Sequence, residues 1–142
     1  MTGGTTRAGL ELVHGDLTRD VIGAFYSVYN SLGYGFVESV YSRALPHALA
    51  ARRRRSEREV PLTVKYMGFV VGDYRADLVV EGKVIVEIKA ADKIVPVHEM
   101  QLVNYLRATN IPVGLVLNFG PRPTFRRMLV LSPPEGSVVI RS

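Results

Sequence analysis

Three ionisable side chains, Asp77, Glu87 and Lys89, are spaced to do chemistry together. Glu87 and Lys89 are two residues apart in Val84–Ala90, an apolar stretch that reads as a buried strand, so both side chains point to one face. Charges inside such a strand are costly to desolvate unless they meet a partner or a metal ion. Asp77 ends the preceding segment Tyr74-Arg75-Ala76-Asp77. If Glu81, Gly82 and Lys83 form a three-residue hairpin loop, Val80 pairs with Val84 and Asp77 comes to stand opposite Glu87. A two-residue loop would put the two carboxylates on opposite faces. Facing carboxylates about 5 Å apart repel unless a cation lies between them. A hard divalent ion suits that position, with the Ile88 main-chain carbonyl as a third oxygen ligand. Lys89 beside it could orient an attacking hydroxide or neutralise charge developing on a phosphoryl oxygen. The same residues also fit a hairpin carrying an ordinary Asp–Lys or Glu–Lys pair.

Two other clusters could join this chemistry. Glu38 and Tyr41, in Gly35-Phe36-Val37-Glu38-Ser39-Val40-Tyr41, are three apart and share a helical face. Glu38 lies in the first helical turn, where the helix dipole favours a carboxylate. Gln101 and Tyr105 are four apart, with His98 three before Gln101. Their amide and hydroxyl could hold a phosphate or a bound water. Helix-start chemistry and an ordinary surface stripe account for the two clusters equally well when each is taken alone.

These residues need elements to position them. The apolar positions Leu17, Val21, Ile22, Phe25, Val28, Tyr29 and Leu32 repeat at the helical period, behind a cap at Asp16 or Thr18, and Gly33-Tyr34-Gly35 ends that helix. A second helix should run from about Phe36 into Arg52–Arg55, with Pro46 kinking or splitting it. The period then shortens: Val60–Tyr66, Tyr74–Val80 and Val84–Ala90 are strands. Pro96 opens a third helix through about Ala108, which Asn110 and Pro112 end. Val113–Asn118 and Arg126–Leu131 are further strands, and Ser137–Arg141 is a candidate short edge strand. The order α-α-β-β-β-α-β-β gives an α/β fold: a mixed sheet with helices on its faces. Residues 1–16 are expected to be a flexible tail and residues 17–142 a single domain.

Composition narrows the function. The 142 residues, 47% of them hydrophobic, suffice for one domain with a real core. Without cysteine there is no disulfide, thiolate zinc site, iron–sulfur cluster or cysteine nucleophile. The histidines lack metal-motif spacing, so a metal would be held by oxygen, which favours Mg²⁺ or Mn²⁺ and not zinc. No apolar run approaches the length of a membrane span, and no signal-peptide core is visible, so a cytoplasmic protein without membrane attachment is expected. The net charge is +5, and of 18 basic residues only Lys65, Lys83, Lys89 and Lys93 are lysine. Such an arginine-rich surface fits a polyanion. Arg52, Arg53, Arg54, Arg55, Arg75 and Tyr41 are the candidate nucleic-acid contacts. The Arg52–Arg55 run equally fits a solvated helix end, where positive charge complements the dipole.

Taken together, these motifs resemble the GxxExxY family of the PD-(D/E)XK nuclease superfamily. The naming motif is Gly35 to Tyr41. The likeness continues through Tyr74–Leu78, Val86–Ala90, Pro96–Leu106 and Gly114–Gly120, and covers roughly Leu17 to Leu131. It implies a restriction-endonuclease-like core, with Asp77 and Glu87 as metal ligands and Lys89 assisting catalysis. Glu38 would match the superfamily's helix-borne acidic residue near the metal, supporting a second ion or a water. Gln101 and Tyr105 look like the Gln-x-x-x-Tyr motif of the RecB-type branch, whose members process DNA ends. The implied activity is metal-dependent hydrolysis of DNA phosphodiester bonds in a DNA-repair setting, with RNA and homodimerisation left open. The rivals are a catalytically silent nucleic-acid-binding or scaffold protein on the same fold, and a hydrolase of free nucleotides.

Overall fold

The computed structural model of the chain describes residues 13–131 and the backbone of Val139–Arg141. Three helices, α1 (Gly15–Leu32), α2 (Glu38–Ala51) and α3 (Pro96–Thr109), accompany strands β1 (Ser56–Tyr66), β2 (Phe69–Val80), β3 (Val84–Lys89), β4 (Val113–Phe119), β5 (Pro123–Leu129) and β6 (Val139–Arg141). The strands form one sheet in the order β5-β4-β3-β2-β1-β6. β3 and β4 are parallel and every other pair is antiparallel. The expected mixed α/β sheet flanked by helices is therefore the architecture, in the expected element order.

α1 and α2 cover one face, burying Phe25, Val28, Leu45 and Leu49 against Leu78, Val86, Leu115 and Leu117. α3 is the crossover between the parallel strands and covers the other face, where Leu102 and Leu106 meet Ile85 and Val116. A Cβ on Gly114 would lie 2.6 Å from a Leu102 methyl, so the absent side chain is what lets α3 dock there. β3, covered on both faces, is apolar at every position except Glu87 and Lys89, as a central strand of such a sheet must be.

Several boundaries move for local reasons. α1 starts at Gly15 behind His14, with no side-chain cap from Asp16 or Thr18; the Thr18 hydroxyl instead donates back to the Gly15 carbonyl. Arg127 donates to the Val13 carbonyl at 2.8 Å, so ordered chain begins before the tail boundary expected at residue 16. The rest of that tail lies outside the described residues. β1 and β2 extend beyond the expected strands and meet at Met67-Gly68, both at positive φ, a pair of values that suits a two-residue hairpin. β5 begins at Pro123 rather than Arg126 and stops before Leu131. The expected edge strand is present in backbone at β6, paired with Thr63–Lys65.

Of the kink or split expected at Pro46, the split is absent, since α2 runs unbroken from Glu38 to Ala51. Proline has no N–H, so the Ser42 carbonyl one turn earlier lacks its helical donor. Arg58 of β1 supplies it, its Nε donating to Ser42 O at 3.1 Å and its terminal nitrogen to Ser42 Oγ at 3.2 Å.

Candidate functional site

β2 and β3 pair as Val80–Val84, Val79–Ile85 and Leu78–Val86, which is the register of the three-residue loop Glu81-Gly82-Lys83. Continued by one step, that register sets Asp77 opposite Glu87. There the carboxylates replace the ladder. Glu87 Oε2 accepts from the Asp77 N–H at 3.0 Å, and Asp77 Oδ2 accepts from the Ile88 N–H at 2.7 Å.

β2 turns over at Asp77. Ala76 packs with the cluster under α3, whereas Leu78, two residues on, packs under α1 and α2. On β1 the same slip falls at Glu59, whose φ is 53°. The β1–β2 pairing omits Glu59 and Asp77 while Arg58–Leu78 and Val60–Ala76 keep register around them. The irregularity aims a side chain, as such features near functional sites do.

Glu87 is 4% exposed. Burial, then the neighbouring Asp77 charge, pushes its carboxyl up to about 8. Burial also raises Asp77, against the lowering effects of the Ile88 hydrogen bond and of Lys89. Lys89 and Glu38 act on both carboxyls and on His98, so all five groups share one electrostatic neighbourhood. Glu38 is exposed at the start of α2. Among the described residues, no three acidic or imidazole side chains form a ready metal cage. Buried Glu87 and half-buried Asp77, mutually repelling carboxylates with all-oxygen donors, nevertheless suit a hard cation that keeps water in its remaining positions.

α3 brings up the other side. Gln101 Nε2 donates to Tyr105 Oη at 3.0 Å, which leaves the hydroxyl proton to donate outward. Burial and the Glu87 charge raise the Tyr105 pKa, so that proton is retained at neutral pH. His98 Nδ1 accepts from the Val95 N–H and caps the helix. His98, Gln101 and Tyr105, with Tyr74, Val97 and Met100, line a groove of about 660 Å³.

Other expected contacts lie elsewhere. Tyr41 does not face solvent: it is fully buried, stacks on Phe119 with centroids 4.2 Å apart, and bridges the Gly33 carbonyl and the Phe36 N–H. Its work is to tie the Gly33–Val37 loop to the core and so set where Glu38 begins α2. Arg52 and Arg54 are committed to ion pairs, both to Asp20 and Arg54 also to Glu81. They sit beside the Glu81 turn, at the start of β3, about 16 Å of strand from Lys89 at its end. Arg53 and Arg55 are exposed there. Arg75 is exposed on β2, with one nitrogen 3.4 Å from the Glu59 carbonyl.

Asn118 escaped the sequence reading. It pairs in register with Lys89 across β3–β4 and is fully buried. Its Oδ1 accepts from the Ala91 N–H at 2.9 Å and its Nδ2 donates to the Ala91 carbonyl at 3.0 Å. The signal was present, because an amide between Leu117 and Phe119 interrupts an otherwise apolar buried strand.

A family model of the PD-(D/E)XK nuclease superfamily matches residues 15–128. The solved structure of SSO0001 is similar, with a TM-score of 0.49 and 24% identity over 64% of this chain and 48% of that one, so this chain spans about half that protein's length. No curated protein matches. No helix among the described residues is long and apolar enough to cross a membrane.

Proposed function

The chain belongs to the PD-(D/E)XK nuclease superfamily, and we propose that it is a Mg²⁺- or Mn²⁺-dependent deoxyribonuclease, of the GxxExxY family and the RecB-type branch, acting through Asp77, Glu87 and Lys89. The observation that carries this reading is the pairing of buried Glu87 with half-buried Asp77, each locked to the backbone beside Lys89.

Asp77, Glu87 and the Ile88 carbonyl would hold the ion. Such an ion supplies Lewis acidity to a phosphoryl oxygen and makes water easier to deprotonate. The protein's own groups do the rest. Lys89 orients the attacking water in line with the scissile bond and offsets charge on the phosphoryl oxygens. Gln101 and the Tyr105 hydroxyl hydrogen-bond a non-bridging oxygen and fix the phosphate. Glu38 takes a water, or a second ion, at the open edge of the site. Arg75, Arg53 and Arg55 remain as salt-sensitive contacts to the DNA backbone.

The test is cleavage of linear and circular DNA with Mg²⁺ or Mn²⁺ by wild type, Asp77→Ala and Lys89→Ala. Each variant should lose at least about 100-fold in rate. Unchanged cleavage in both rules the site out. Metal-dependent thermal stabilisation of a wild type that cuts nothing would mark a silent nucleic-acid-binding protein instead.

A further inference from the structure

We infer that His98 is a further substrate-binding residue of the site, its Nε2–H donating a hydrogen bond to a non-bridging oxygen of the phosphate that Lys89 and Gln101 approach. The inference rests on the nuclease reading and deepens it, with a residue that reading leaves unused.

His98 sits in the first turn of α3, three residues before Gln101 and seven before Tyr105, so the three side chains share one face of the helix. All three line the same groove. The imidazole is held by its other nitrogen. Nδ1 accepts from the Val95 N–H at 3.2 Å, while the His98 N–H donates to the Val95 carbonyl at 2.9 Å. A ring nitrogen that accepts carries no proton, so the proton of the neutral ring is on Nε2. Nε2 is therefore a donor in a fixed orientation, and Val95 is the ring's hydrogen-bond partner among the described residues. Lys89 and Glu38 both act on the His98 charge, which sets the ring beside the catalytic groups.

Capping alone does not call for imidazole. The return hydrogen bond from the third helical residue is ordinarily made by Glu or Gln. A glutamate here would add negative charge where the phosphate must come; imidazole caps without that charge and still presents a donor. The fixed tautomer also keeps Nε2 from ligating the ion, since a protonated nitrogen has no lone pair to give. What the donor needs is an acceptor, and a phosphate held by Gln101 and Lys89 is one. Burial, then the Lys89 charge, holds His98 below the ordinary histidine value, so at neutral pH it binds as a neutral donor. It adds a hydrogen bond without adding charge, unlike the arginine contacts to the DNA backbone.

The experiment compares the full chain as wild type, His98→Asn and His98→Ala, at neutral pH and at a temperature where circular dichroism shows all three folded. Asparagine keeps an acceptor near the Nδ1 position for the Val95 N–H and loses the outward donor; alanine loses both. Binding of a labelled linear DNA is read by fluorescence anisotropy in EDTA, and cleavage is read in Mg²⁺. Both variants should bind about tenfold more weakly than wild type, the loss of one hydrogen bond to a charged acceptor. The salt dependence of affinity should not change, because no cation has been removed. Both should also cut at least about tenfold more slowly, whereas only His98→Ala should melt at a lower temperature. A His98→Asn variant that binds and cuts like wild type reduces His98 to a helix cap and overturns the inference. Weaker binding by His98→Asn beside a wild type that cuts nothing would sink the enzyme and keep the contact. Cleavage lost in Asp77→Ala but untouched, like binding, in His98→Asn would do the reverse.

Discussion

Asp77 and Glu87 hold each other in place through the backbone, Glu87 Oε2 on the Asp77 N–H and Asp77 Oδ2 on the Ile88 N–H. Each carboxylate thus takes over a donor that the β2–β3 ladder would otherwise have satisfied. The pair can be dissected because structure and chemistry need different things from Asp77. Asp77→Asn keeps an oxygen acceptor for Ile88, so stability should stay within about 1 kcal/mol of wild type while cleavage falls at least about 100-fold. Asp77→Ala strands a half-buried N–H and should cost a further 1–3 kcal/mol, about the penalty of an unsatisfied donor. Urea denaturation and a DNA cleavage assay on the same preparations separate the two effects.

Burial of Glu87 makes the metal-free protein sensitive to pH. Its carboxyl is raised from 4.5 to about 8, so the folded chain holds a proton there that the unfolded chain has released. A raised folded pKa gives stability that is whole below 4.5 and is lost as pH climbs through 8. The melting temperature in EDTA should therefore fall between pH 5 and pH 9, and Glu87→Gln should reduce that fall by on the order of 5 °C. Adding Mg²⁺ should stabilise wild type most at the alkaline end, where the carboxylate needs no deprotonation, and should leave Glu87→Gln almost unmoved. Scanning calorimetry across the pH series checks both; a slope identical in wild type and Glu87→Gln would contradict the assignment.

The sequence foretold the parts of this site that depend on local periodicity. The two-residue spacing of Glu87 and Lys89 sets their common face, and Gly82 at positive φ in the Glu81–Lys83 loop fixes the register that sets Asp77 opposite Glu87. Helix α1 was legible because its apolar residues recur at the helical period and Gly33 ends it, and α3 because Pro96 opens it and Asn110 ends it. What stayed hidden depends on partners distant in the chain. The unbroken α2 requires Arg58, sixteen residues beyond Ser42, to replace the donor that Pro46 lacks. Arg52 and Arg54 looked like a phosphate track because their acidic partners, Asp20 and Glu81, lie about thirty residues away on either side. Tyr41 carries a polar tip, which suggested a surface role, but that tip is spent on its own loop. The turning-over of β2 at Asp77 has its counterpart at Glu59, and no local pattern announces a positive φ at a glutamate.

Pro46 and Arg58 should be energetically coupled. Replacing Pro46 by alanine restores an N–H one turn after Ser42, which would ordinarily gain about 3 kcal/mol inside a helix. Here the carbonyl is already satisfied by a charged donor, so Pro46→Ala should gain clearly less. Arg58→Ala in the natural chain should cost about 1.5–3 kcal/mol, since it orphans that carbonyl. The same change in the Pro46→Ala background should cost at least about 1 kcal/mol less, because the alanine N–H now donates in its place. A double-mutant cycle by chemical denaturation reads the coupling. Additive effects would mean that Arg58 contributes through packing or charge and not through Ser42.

Asn118 should matter to catalysis without touching substrate. Its side-chain amide pairs with both polar groups of the Ala91 backbone, two residues after Lys89, and so fixes the chain where β3 leaves the sheet. Gly120 packs against the same carbonyl, and a Cβ there would fall 2.2 Å from Ala91 O, so the segment is gripped from two sides. Asn118→Ala removes both hydrogen bonds from a fully buried position and should cost about 2–3 kcal/mol. If the amide acts by positioning Lys89, cleavage should fall about 10–100-fold at temperatures where the variant is fully folded. The loss should appear in kcat, with KM for DNA little changed, because Gln101, Tyr105 and the backbone contacts remain. Combining Asn118→Ala with Lys89→Ala should then cost hardly more activity than Lys89→Ala alone, since the misplaced group is already gone. Fully multiplicative losses would place the action of Asn118 somewhere other than on Lys89.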